Sequence, residues 1–107
     1  MIYELRMYDV VPGKLPALNE RFANISLDYF KKYGINVVGF WTDDVGTSNR
    51  LTYMLAFNDL AHRDQAWAGF RGDQERIQAF AETEREGPLV ARIQNIILRP
   101  TSYSPMQ

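Results

Sequence analysis

Near the start of the chain an acid, a guanidinium and a phenol stand two residues apart, at Glu4, Arg6 and Tyr8. On a strand, alternate side chains leave the same face with about 6.5–7 Å between neighbours, so the three can act on one object. Their chemistry allows two uses. A Glu–Arg pair, within one chain or across a dimer, would fix strand register, because an uncompensated buried ion costs several kcal/mol. Alternatively, Arg6 or Tyr8 would orient a ligand's carboxylate or carbonyl while Glu4 served as base or hydrogen-bond acceptor. The two uses are compatible.

Other side chains invite the same scrutiny. Trp41 and Tyr53 fall in two successive apolar runs and are read as core aromatics or, if they share a face, as a ligand platform. Gln94 is polar within the last apolar run and is placed to satisfy Glu4 or Tyr8. His62 lies in the first turn of a helix, where an exposed surface histidine is a better reading than a general base or haem ligand. Lys14 follows Pro12-Gly13, but there is no GxxxxGK[ST] pattern to make it a phosphate loop. Residues Glu82 to Glu86 read as a solvated helix face.

Composition removes several classes of chemistry. The 107 residues include no cysteine and one histidine, which excludes disulfides, thiolate catalysis and His-cluster metal sites within a protomer. No cofactor is expected. A net charge of -1 gives no electrostatic reason to expect a nucleic-acid partner. No apolar run approaches the ~18 residues of a membrane span, and the first residues hold neither a basic stretch nor an apolar leader core. The expectation is a cytoplasmic, soluble protein. No Ser–His–Asp-like set is evident, which counts against hydrolysis.

The elements that must position these residues follow from periodicity. Residues 2–10 alternate with period two and end at Pro12-Gly13, as a strand does. From Lys14 the spacing changes: Leu15, Leu18, Phe22, Ile25 and Tyr29 fall on one helical stripe, with Pro16 in the first turn and Gly34 as the stop. Runs 35–45 and 49–58, joined by Gly46-Thr47-Ser48, predict an antiparallel hairpin. Asp59 caps a helix carrying Leu60, Arg63, Trp67 and Phe70 on one side; Gly72 breaks it and Asp73 caps a shorter helix that Gly87-Pro88 closes. A last strand spans about 89–99.

The order β-α-β-β-α(α)-β predicts an α+β, ferredoxin-like split βαβ fold with both helices on one face of a four-stranded antiparallel sheet. With Leu5 and Met7 assigned to the helix side, Glu4, Arg6 and Tyr8 are expected on the opposite face. The hairpin runs are apolar on both phases, so that second face needs a cover, and a second copy of the chain supplies one as a dimeric α+β barrel.

Specific segments carry a resemblance. Tyr3-Glu4-Leu5-Arg6-Met7-Tyr8, Val11-Pro12-Gly13-Lys14, Tyr33-Gly34, Val38-Gly39-Phe40-Trp41, Val45-Gly46, Leu60-Ala61-His62-Arg63, Leu98-Arg99-Pro100 and Ser104-Pro105 together resemble the NIPSNAP family in order and spacing. The resemblance implies the dimeric α+β barrel, with residues 1–100 as the domain and 101–107 as a tail. Its barrel is shared with cofactor-free monooxygenases, haem-degrading enzymes and dehydratases, an analogy of fold alone. Three functions stay open. The first is a homodimer, or a higher oligomer, binding a small partly apolar molecule with Glu4, Arg6, Tyr8, Trp41, Tyr53 and Gln94 as pocket candidates. The second is a cofactor-independent monooxygenase- or isomerase-like enzyme acting on a small activated aromatic or carbonyl compound. The third is a structural protein with a filled barrel.

Overall fold

A computed structural model describes all 107 residues. Strand β1 (Ile2–Val10) leads into a helical segment made of α1 (Leu15–Arg21), a π-helical turn (Phe22–Ser26) and α2 (Leu27–Lys32). The hairpin strands are β2 (Asn36–Thr42) and β3 (Arg50–Phe57). Helices α3 (Leu60–Gly72) and α4 (Gln74–Thr83) follow, then β4 (Val90–Leu98). The sheet order is β2-β3-β1-β4 with every neighbouring pair antiparallel. This is the ferredoxin-like arrangement expected from the element order.

The helix boundaries follow their caps. Asp59 accepts the backbone N–H of His62, and Asp73 accepts that of Arg76, each satisfying a donor that the first turn leaves free. Gly34 follows α2 at φ +71°, the left-handed conformation that ends helices without a Cβ penalty.

The helical stripe is displaced from its expected register. Leu18, Phe22, Ser26 and Phe30 are buried, whereas Ile25 and Tyr29 are only half-buried. The cause is the π turn: Leu27 N–H bonds the carbonyl of Phe22, five residues back, so the turn holds one residue more than an α-helix. Every inward position after Phe22 moves one residue along the chain.

The direction of β1 is reversed from expectation. Ile2, Glu4, Arg6, Tyr8 and Val10 are buried beneath the helices, while Tyr3, Leu5, Met7 and Asp9 turn to the other face. Apolar alternation favoured Leu5 and Met7 as the helix side, but α3 brings Arg63 and Trp67 over the strand. Those donors make a polar socket that only the charged phase of β1 can fill. On the opposite face Leu5 lies between Met54 and Ile96, and Tyr3 between Ala56 and Leu98. No helix covers that face, and the chain is a slab of 46 × 36 × 19 Å. Its thin dimension fits one helix layer on one sheet. The tail turns back over one end of the open face, where the Tyr3 hydroxyl donates to the main-chain oxygen of Gln107 at 2.8 Å.

Candidate functional site

Glu4 is 0% exposed and receives five hydrogen bonds. Oε1 accepts from Trp67 Nε1 at 2.9 Å and Arg63 Nε at 3.0 Å; Oε2 accepts from Arg6 Nη1 at 3.0 Å, Asn95 Nδ2 at 3.0 Å and Arg63 Nη2 at 3.2 Å. Burial alone would raise this carboxyl. The bonds from Arg63, Trp67 and Asn95, with the charge of Arg6, outweigh burial and hold it down at about 2. A carboxylate has about four lone-pair positions, so five donors leave Glu4 no room to take a substrate proton. It is an anchor, not a base.

Arg6 is the piece Glu4 anchors. Its guanidinium lies over the Trp67 ring, 4.6 Å from the centroid, a cation–π placement. Beyond Glu4 it donates from Nε to the Tyr53 hydroxyl at 2.7 Å and from Nη2 to the Tyr8 hydroxyl at 3.3 Å. The two hydroxyls are themselves 2.7 Å apart. Burial would lower Arg6, but Tyr53, Tyr8 and Glu4 reverse this, so it stays charged. Burial pushes the Tyr53 phenol well above its ordinary value, with Tyr8 adding to the effect, so Tyr53 stays protonated.

These groups form one wall of a cavity of about 250 Å³ between the sheet and the helices. Phe22, Ser26 and Phe30 enter from the helical segment around the π turn, Trp67, Phe70 and Phe80 from α3 and α4, and Val90 and Ile93 from β4; Arg21 and Arg71 complete the lining. Tyr53 and Phe30 sit at its buried end, and exposed Arg71 and Ile93 mark its mouth. Arg21 is 8% exposed. It packs over Phe80 at 4.3 Å and reaches Glu84 at 3.5 Å through Nη1, while its Nε has no hydrogen-bond partner.

Of the six residues singled out in the sequence, four come together here. Glu4, Arg6, Tyr8 and Tyr53 share the helix-covered face. Trp41 pairs with Thr52 and Gln94 with Met7, which puts both on the open face, away from the cavity. Gln94 therefore does not serve Glu4. Its neighbour Asn95, opposite Arg6 in the ladder, does so instead. Trp41 folds its indole over Gly39, where a Cβ would stand 2.8 Å from the ring, so a larger residue there would push the indole aside. His62 is half-buried, not the exposed surface residue expected. Its Nδ1 accepts the Asn58 N–H at 3.0 Å, so Nε2, 3.0 Å from the Gly34 carbonyl, carries the proton and donates; the ring thus bolts the start of α3 to the turn after α2.

Arg63, Trp67, Asn95, Arg21, Ser26 and Arg71 were not seen as site residues in the sequence. Arg63 and Trp67 were legible only as members of a helical stripe. A cation beside an aromatic within an apolar helix face, Arg21-Phe22, was the one available hint of a buried arginine.

Comparison with known proteins agrees with this architecture. The NIPSNAP family model matches residues 3–105. A NIPSNAP family protein of unknown function from Agrobacterium tumefaciens is 26% identical with TM-score 0.86, over 100% of this chain and 94% of that one. An uncharacterized NIPSNAP domain protein from Burkholderia xenovorans is 28% identical with TM-score 0.83, over 98% and 99%. A NIPSNAP-like domain protein from the same organism is 26% identical with TM-score 0.85, over 97% and 88%. Among curated proteins, none matches the chain. With one family model running from β1 into the tail and the same fold recurring over nearly the whole length of solved members, the chain belongs to the NIPSNAP family.

Proposed function

We propose that the protein binds a small, partly apolar molecule in the cavity between its sheet and its helices. The observation that carries this reading is the cavity itself. Its volume of about 250 Å³ is walled by aromatic side chains and backed by Arg6, Tyr8 and Tyr53, the pattern of an apolar site with a few fixed polar groups. Native mass spectrometry of the purified protein, followed by analysis of the released small molecules, tests it. A retained compound in the natural chain that is lost in Ser26→Trp, which fills the cavity, supports the reading. A Ser26→Trp protein that retains the same compound overturns it.

The protein is further proposed to act as a homodimer joined through its open sheet faces. Trp41, Ile96 and Leu98 are exposed there, an apolar surface that a slab one sheet and one helix layer thick cannot cover. A second copy is self-complementary by a two-fold axis and would close the two sheets into a barrel.

A cofactor-independent enzyme is the second reading, favoured by the hydroxyl pair of Tyr8 and Tyr53 beside a permanently charged arginine. Proton transfer would then rest on those phenols, since Glu4 is saturated. Turnover of a retained compound by the natural chain, abolished in Tyr8→Phe with binding intact, would favour it.

A further inference from the structure

The hydroxyls of Tyr8 and Tyr53 carry two protons and have one internal use for them. Each oxygen accepts a bond from Arg6, and the single bond between the oxygens takes one proton. Whichever phenol donates, the other keeps an O–H that no acceptor in the chain receives, and both line the cavity. A buried donor left unused costs about 1–3 kcal/mol, so the site calls for an acceptor from outside. Arg21 adds a second unspent donor: it is more than nine-tenths buried, and its Nε is unpartnered. The charge balance points the same way. Three arginines and no carboxylate line the cavity; Arg21 has only the exposed Glu84 at 3.5 Å, and Glu4 behind the cavity is shared between Arg6 and Arg63.

We infer that the ligand is a small aromatic monocarboxylate, its carboxylate taking the free phenolic proton and the Arg21 Nε–H while its ring lies among Phe22, Phe30 and Phe70. The inference rests on the cavity reading above and deepens it. Nine of the 13 lining residues are hydrophobic, which fits one desolvated negative charge and disfavours a dianion such as phosphate. At about 30 Å³ for each water displaced, the volume admits on the order of ten non-hydrogen atoms, the size of a benzoate or phenylacetate. Arg71, exposed at the mouth and without a salt-bridge partner, would draw the anion in.

Isothermal titration of the full chain with benzoate, phenylacetate, benzamide and inorganic phosphate tests this. The expected result is that at least one acid binds tenfold or more tighter than benzamide, with phosphate failing to compete. Arg21→Gln should shrink that gap to threefold or less, weakening the acid more than benzamide. If benzamide binds as tightly as the acids, the anion assignment is overturned and the cavity reading stands. Phosphate competing as well as benzoate overturns the carboxylate. If none of the four binds, the inference falls, and if no compound is retained in the native spectrum either, the cavity reading falls with it. The acid–amide comparison uses the natural chain, so a poorly folded Arg21→Gln protein does not remove the test.

Discussion

The indole N–H of Trp67 donates to Oε1 of Glu4 across 2.9 Å, tying the middle of α3 to the third residue of β1. The same ring lies beneath the Arg6 guanidinium that Glu4 also holds. One aromatic residue thus sets both the acid and the base of the buried pair. The ion pair and the helix packing are therefore a single unit.

Glu4→Gln should destabilise the fold by about 3 kcal/mol, because it leaves Arg6 as a buried cation without its counterion and takes from half-buried Arg63 one of its two carboxylate partners. The measurement is urea unfolding, where a loss of that size lowers the midpoint by about 1 M or more. An unchanged midpoint would mean that the pair contributes nothing.

Acid should weaken the protein through the same residue. Glu4 titrates at about 2 when folded against an ordinary value of 4.5. A carboxyl lowered by folding contributes stability that is complete above its unfolded value and lost as pH falls toward its folded one. The window is therefore between about pH 5 and 2, and the amount is on the order of 3 kcal/mol. Asp73, held low first by its bond to Lys32 and then by Tyr33, acts with the same sign. Urea midpoints at pH 7 and pH 3 should fall further apart in the natural chain than in Glu4→Gln, and equal differences would count against the assignment.

Tyr53→Phe should cost about 1–3 kcal/mol, since it strips the acceptor from the buried Nε of Arg6. Tyr8→Phe should cost less, because its bond to Arg6 is longer at 3.3 Å and Nη1 of the same guanidinium stays paired with Glu4. Thermal unfolding of the two variants side by side gives the order, and a larger loss for Tyr8→Phe would contradict it.

Trp41→Asp should break the proposed dimer without unfolding the protomer, as the indole is 52% exposed and rests only on the open sheet face. Sedimentation at micromolar concentration should give a dimer for the natural chain and half that mass for the variant, with unchanged circular dichroism. A natural chain that sediments as a monomer would remove the dimer from consideration.

Much of the fold was legible because it rests on local rules. The period-two alternation of 2–10, the small polar residues at 46–48 and the caps at Asp59 and Asp73 each appear where the sequence placed them. The face of β1 was not legible from hydrophobicity. It depends on Arg63 and Trp67, about 60 residues along the chain, and a phase that looks solvent-like becomes buried once those donors arrive. The choice between Gln94 and Asn95 turned on strand register, to which a β-bulge beside Asp9 and Val10 contributes. Trp41 and Tyr53 are one residue out of phase across the hairpin, because Val38 is an extra residue in β2. So Phe40, not Trp41, stacks on Tyr53, with ring centroids 4.9 Å apart.

The π turn makes the helical wall of the cavity adjustable by a unit of one residue. Its extra residue lies between ends that are both seated on the sheet, at Leu18 and Phe30. Deleting one residue from 23–25 would return the turn to α-helical spacing and rotate different side chains inward, with the strands left in place. Insertion and deletion are usually confined to loops, yet here a packed helix can absorb one. The set of side chains that lines this cavity can thus change by a shift of phase along a helix as well as by substitution.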